Sequence, residues 1–109
     1  MENQILPKQK FCYILRLYPR YFHSDGWTDE AKDTVGRHFN YLKKYTEDGT
    51  LILAGRTVNE PMSAEYFGIA ILETVSKEEA QSIMDNDPAV TGKIMYAKLY
   101  DFSLALMRK

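Results

Sequence analysis

The chain has 109 residues, of which 45% are hydrophobic, 13% aromatic and 27% charged, with a formal net charge of -1. That length fits one domain over residues 1–109, and this much apolar content at so little net charge excludes an intrinsically disordered chain. No run approaches the ~20 apolar residues of a membrane-spanning helix, the balanced charge leaves no footprint for nucleic acid, and the lone cysteine, Cys12, excludes an internal disulfide framework.

Residues 1–9 are polar, carry Pro7, and read as a flexible tail. They hold no long apolar stretch, so no secretory signal is expected, and with one cysteine the expected location is cytoplasmic. Phe11 to Tyr18 is rich in aromatic and bulky apolar residues, and Pro19 stops it. It is too short for a core helix and is predicted as the first strand. Residues 19–27 form a loop with Tyr21, Phe22 and Trp27. A loop with that much apolar surface is expected to fold over something. Thr28 is predicted to cap the first helix, with Asp29 and Glu30 in the first turn, where the helix dipole favours anions. Ala31, Val35, His38, Leu42 and Tyr45 follow at steps of four and three, the stripe of a helix facing a core. Phe39 is expected to widen the stripe, and Gly49 sits where a C-terminal cap belongs.

Leu51 to Gly55, extending toward Val58, is the predicted second strand. Asn59 to Ser63 is a turn, and Tyr66 to Val75 the third strand. Ser76-Lys77-Glu78-Glu79 matches a capping box. The helix it starts turns Ala80, Ile83 and Met84 inward. Asp87-Pro88 ends that helix, because the residue before proline is pushed out of helical geometry. Residues 88–92 add a helical turn closed by Gly92, and Ile94 to Leu106 is the fourth strand.

The order β-α-β-β-α-β, with right-handed crossovers, predicts an α+β ferredoxin-like fold: a four-stranded antiparallel sheet with both helices on one face. The strands are nonetheless apolar on both sides. The first splits Phe11, Tyr13, Leu15 and Leu17 from Cys12, Ile14, Arg16 and Tyr18. The third splits Phe67, Ile69 and Ile71 from Tyr66, Gly68, Ala70 and Leu72. A sheet with one wet face should alternate apolar and polar. The uncovered face therefore calls for a partner, and a second copy of the chain, in a homodimer, is the simplest one.

His38 is the one strongly polar side chain on the inward stripe of the first helix. An imidazole ordinarily titrates near neutrality and serves as acid or base there; a packed core histidine is the structural alternative. Asp87 fits ordinary Asp-Pro turn chemistry, or it orients a histidine and stabilises its imidazolium. Arg56 and Arg16 are candidates to hold an anionic group, against the alternative of solvated or ion-paired side chains. With one cysteine and two histidines, no spacing resembles a zinc site. Cys12, mid-strand, reads as a small buried hydrophobe. No phosphate-binding loop and no Gly-x-Ser-x-Gly elbow is present, and Tyr41, Tyr45, Tyr96 and Tyr100 read as packing residues.

Several segments together resemble the YCII-related (YciI-like) family. They are Arg37-His38-Phe39-Asn40-Tyr41-Leu42, Asp48 to Gly55, Ser76 to Ala80, Asp85-Asn86-Asp87-Pro88, and Gly92. The match runs from the first strand to the fourth. It implies a ferredoxin-like fold paired sheet to sheet as a dimeric α+β barrel, with His38 and Asp87 as a dyad in a pocket. A related enzyme eliminates chloride from a chlorinated hydroxyquinol, and muconolactone isomerases share the fold. The chain departs from the family in three places. Arg56 stands where proline often follows Ala-Gly, Ala89 where an aromatic commonly follows Asp-Pro, and the loop carrying Trp27 is longer and more aromatic. The expected function is a small cofactor-independent enzyme of lyase, isomerase or dehydrochlorinase type. His38 would transfer a proton on a small cyclic or unsaturated organic substrate, Asp87 would orient it, and Arg56, Arg16 and Trp27 would contact the substrate. The alternatives are a non-catalytic ligand-binding or interaction module on the same scaffold, and, ranked last, a haem protein of the wider superfamily.

Overall fold

The aromatic run near the start of the chain forms strand β1, Gln9–Leu17. The structure, a computed structural model, describes residues 7–59 and 62–108. Most of the expected tail therefore lies outside the described residues, and Gln9 already pairs with Thr74. Two short 3-10 turns, Pro19–Phe22 and Ser24–Gly26, lead into helix α1, Asp29–Glu47. Strand β2 is Leu51–Arg56 and β3 is Gly68–Thr74. The turn expected at Asn59 to Ser63 falls partly outside the described residues. Helices α2, Lys77–Asp85, and α3, Pro88–Thr91, precede strand β4, Met95–Asp101.

The four strands form one antiparallel sheet in the order β2-β3-β1-β4. This is the ferredoxin-like α+β arrangement, with sequence neighbours separated by crossovers. Tyr13 pairs with Ala70 and Leu99, and Leu15 with Gly68 and Ala97, so these side chains share the helix-covered face. Phe11, Tyr13, Leu15, Leu17, Ala70 and Leu72 are all buried there, under Ala31, Leu42, Ala80, Ile83 and Met84 of the helices. The other face carries Ile14, Arg16, Ile69, Ile71, Leu53, Tyr96, Lys98 and Tyr100. Leu53, Tyr96 and Tyr100 are exposed.

Local chemistry sets the element ends. The Thr28 hydroxyl accepts the Ala31 N–H at 3.1 Å and Ser76 accepts the Glu79 N–H at 3.1 Å, so both predicted caps form. Gly49 follows the α1 cap with φ +89°, a conformation L side chains resist. Two expectations are corrected. Phe39 does not widen the buried stripe; it is 66% exposed. It lies ~100° around the helix from His38, and the opposite flank is filled by Tyr41, whose hydroxyl donates to the Ile83 carbonyl at 2.7 Å. Strand β4 ends at Asp101 instead of Leu106. Asp101 pairs with Phe11, Phe102 N–H still reaches the Lys10 carbonyl at 3.0 Å, and among the described residues no strand continues beyond it. No described helix is long and apolar enough to cross a membrane.

Candidate functional site

The site begins with a carboxylate that the fold has removed from water. Asp87 is 0% exposed. A buried charge needs compensating partners, and Asp87 has three. Its Oδ2 accepts the Tyr13 hydroxyl at 2.8 Å. Its Oδ1 accepts the Ala89 N–H at 2.9 Å and lies 2.6 Å from Nδ1 of His38. Both carboxylate oxygens act as acceptors, so Nδ1 of His38 is the donor in that contact. Burial and the Asp87 charge push the Tyr13 hydroxyl far above its ordinary range, which keeps it a donor.

Three elements converge to make this cluster. Tyr13 reaches it from the centre of β1 and His38 from the middle of α1. Asp87 sits at the junction of α2 and α3. Pro88 holds Asp87 in an extended conformation, φ -63° and ψ 127°, and there Asp87 also serves as the N-cap of α3. Gly92, at the other end of α3, lies against α1. A Cβ there would meet Thr34 Cγ2 and the Pro88 carbonyl, each at 2.8 Å. The missing side chain lets α3 approach α1 closely enough for Asp87 to reach His38.

The remaining ring nitrogen, Nε2, has no partner among the described residues. Among the described residues no buried side-chain nitrogen or oxygen is left unpartnered, so Nε2 meets solvent. His38 is 14% exposed and lines a cavity of about 720 Å³ between α1 and the β2 side of the sheet. That volume suits a small organic molecule. Leu15, Leu17, Leu42, Leu51 and Met95 supply apolar walls, and Gly68 leaves the floor open. Trp27 closes one side. Its indole N–H donates to the Tyr21 carbonyl at 2.9 Å and its ring packs 5.0 Å from that of Tyr21, so it turns an apolar ring to the cavity. The aromatic loop thus folds over this cavity.

Of the residues singled out from sequence, His38, Asp87, Trp27 and Arg56 gather here; Asp87 stands behind His38. Arg56, the last residue of β2, lines the cavity with an exposed side chain, its guanidinium held by one contact of 3.4 Å to the Thr57 carbonyl. Arg16 does not join them. It is on the other face of the sheet, its guanidinium 5.4 Å from the Phe67 ring centre, because strand alternation sends it opposite to Leu15 and Leu17. Cys12 is buried, and burial pushes its thiol up, away from the reactive thiolate. Among the described residues no three His, Cys, Asp or Glu side chains gather as metal ligands. Sequence reasoning assigns Tyr13 to one face of the first strand and misses its role. Its signal was a single hydroxyl on a strand face otherwise made of Phe11, Leu15 and Leu17; a buried tyrosine hydroxyl needs a partner.

Comparison with known proteins bears on the whole arrangement. Residues 13–103 match the YCII-related domain. The chain belongs to the YCII-related family. A solved structure similar to this YCII-related protein is the 5-chloro-2-hydroxyhydroquinone dehydrochlorinase TftG from Burkholderia phenoliruptrix AC1100, in complex with 2,5-dihydroxybenzoquinone. The two superpose with a TM-score of 0.66 at 16% identity, over 88% of this chain and 95% of that one. The likeness is one of fold. The comparison with curated proteins gives no match for this YCII-related chain.

Proposed function

We propose that this YCII-related protein is a small enzyme that needs no cofactor and uses His38 to move a proton on a small cyclic or unsaturated organic substrate. The observation that carries this reading is the 2.6 Å contact between Nδ1 of His38 and a fully buried carboxylate, with Nε2 left to a cavity. Nδ1 holds the proton, so Nε2 carries the lone pair and acts as the base. Nε2 takes a proton from a substrate carbon. The C–H electron pair then forms a new double bond and either expels a leaving group, as in dehydrochlorination, or shifts the unsaturation, with His38 returning the proton at another carbon. Asp87 stabilises the imidazolium between these events. Electrons balance within the substrate, so the step calls for no redox partner. Arg56 and Trp27 border the substrate. The dehydrochlorinase among the structural neighbours supports a small-molecule enzyme on this fold.

The test does not require the net reaction to be known. A panel of small cyclic and unsaturated acids, ketones and phenols is incubated with the protein in D2O, and C–H to C–D exchange is followed by NMR. The wild type exchanges at least one compound. His38→Asn, which keeps a donor toward Asp87, slows that exchange by roughly 10²–10⁴-fold with an unchanged melting curve. A panel with no exchange, or a variant as fast as the wild type, removes the reading.

A further inference from the structure

The cavity is charged asymmetrically. Lys43 and Arg56 lie on its wall, and no acidic residue does so among the described residues, although the chain as a whole carries a net charge of -1. Asp87 is screened from it behind His38. Both are exposed residues, so their side chains can reach an anion entering from solvent.

A second polar group accompanies Arg56. The two meet because of strand register. Arg56 pairs with Gly68 across the β2–β3 ladder, and the pairing continues past the strand ends, with Thr57 N–H donating to the Phe67 carbonyl at 2.9 Å and Phe67 N–H to the Thr57 hydroxyl at 3.1 Å. Tyr66, two residues before Gly68, therefore falls on the same face as Arg56, as its diagonal neighbour, within reach of long side chains. Gly68 between them has no side chain to fill the gap. Tyr66 is 5% exposed and lines the cavity. No described residue accepts from or donates to its hydroxyl, and among the described residues no buried side-chain oxygen is unpartnered, so the hydroxyl reaches solvent on a residue that borders the cavity. Burial pushes that hydroxyl up and the Arg56 charge partly opposes the shift, so the group stays an O–H donor at neutral pH.

We propose that Tyr66 and Arg56 together form an oxyanion-binding subsite, and that the cavity selects small organic anions with an apolar body. The anionic oxygen takes the Tyr66 O–H and the Arg56 guanidinium. The body packs against Trp27 and the aliphatic wall. This deepens the functional reading above and rests on the same cavity being the site. Placing negative charge at one end of a substrate fixes which carbon faces Nε2 of His38.

Trp27 is the only tryptophan of the chain, so its indole N–H gives one NMR signal from the cavity wall. The uniformly ¹⁵N-labelled protein is titrated with benzoate, with 4-nitrophenolate and with neutral benzamide. Benzoate or 4-nitrophenolate is expected to move the Trp27 signal saturably and to bind at least tenfold tighter than benzamide. The tighter of the two tells whether a carboxylate or a phenolate-type oxygen is preferred. Tyr66→Phe and Arg56→Gln each weaken anion binding by roughly tenfold, the size of a lost charged hydrogen bond, and leave benzamide unchanged. Tyr66→Phe removes a hydroxyl with no described partner, so its melting curve stays that of the wild type. Equal binding of anion and amide, or anion binding indifferent to both substitutions, overturns the subsite. Anion selectivity without any proton exchange on the panel leaves the subsite standing and removes the catalytic reading. Proton exchange with a KM that neither substitution raises does the reverse.

Discussion

At the scale of single residues the dominant fact is the desolvated Asp87 carboxylate and its three donors. Two of these, the Tyr13 hydroxyl and the Ala89 N–H, are wholly buried with it, out of reach of solvent, and the Tyr13 hydroxyl is the one a side-chain substitution can remove. Tyr13→Phe removes it without making a cavity, and the expected cost is about 1.5–3 kcal/mol, the value of a hydrogen bond to a charged group. The same contact makes stability fall in alkali. Folded Tyr13 keeps its proton well above the ordinary tyrosine range, whereas the unfolded chain releases it near pH ~10. The contribution is therefore full below pH ~10 and is lost as pH rises toward the folded value. Tyr41 and Tyr66 are raised by burial in the same direction, so Tyr13→Phe keeps part of the slope. Denaturant unfolding at pH 8 and at pH 11 should show a smaller loss for the variant than for the wild type; equal losses remove Tyr13 from the account.

At the scale of elements, the site depends on how closely α3 lies on α1. Gly92→Ala puts a Cβ 2.8 Å from Thr34 Cγ2 and from the Pro88 carbonyl, and one of them has to move. The expected result is overpacking worth about 1–3 kcal/mol and a longer His38–Asp87 contact, read as an upfield shift of the His38 Nδ1 proton. Thr34→Ser removes the methyl but keeps the hydroxyl that donates to the Glu30 carbonyl at 3.0 Å. Added to Gly92→Ala it should restore part of both readouts; full additivity of the two changes counts against the contact. This level also shows what sequence could reveal. Caps at Thr28 and Ser76, the inward Ala80, Ile83 and Met84, and the break at Asp87-Pro88 are local, and each was legible from a few neighbouring residues. Gly92 was legible only as the end of a helical turn, because its need for space comes from Thr34, 58 positions away. Tyr66 is legible as a strand residue on the face of Gly68, Ala70 and Leu72, but nothing near it in sequence marks it as a neighbour of Arg56 across a ladder. Arg16 looked equivalent to Arg56 until strand alternation put the two on opposite faces.

At the scale of the whole molecule, the sheet has one face covered by helices and one that is not. Ile14 is at the middle of the open face, opposite Ile69 on one side and Lys98 on the other. We propose that a second copy covers this face in a homodimer, a reading its apolar patterning supports. Ile14→Lys sets two like charges side by side next to Lys98 and should turn a dimer into a monomer by sedimentation velocity at tens of micromolar; a wild type that sediments as a monomer there defeats the proposal. The cavity opens on the helix side of the sheet, so its proton chemistry should survive in the monomer if α1 keeps its place. A final consequence concerns descent. Asp87 joins α2 to α3, caps α3 and accepts the Tyr13 hydroxyl inside the core, besides meeting Nδ1 of His38. A lineage without the proposed chemistry would still be held to its aspartate by folding, whereas at position 38 folding asks only for a donor toward Asp87, which asparagine also supplies. On the proposed reading, the imidazole on α1 is therefore the more informative position among relatives of this chain, and the Asp-Pro pair marks the shape.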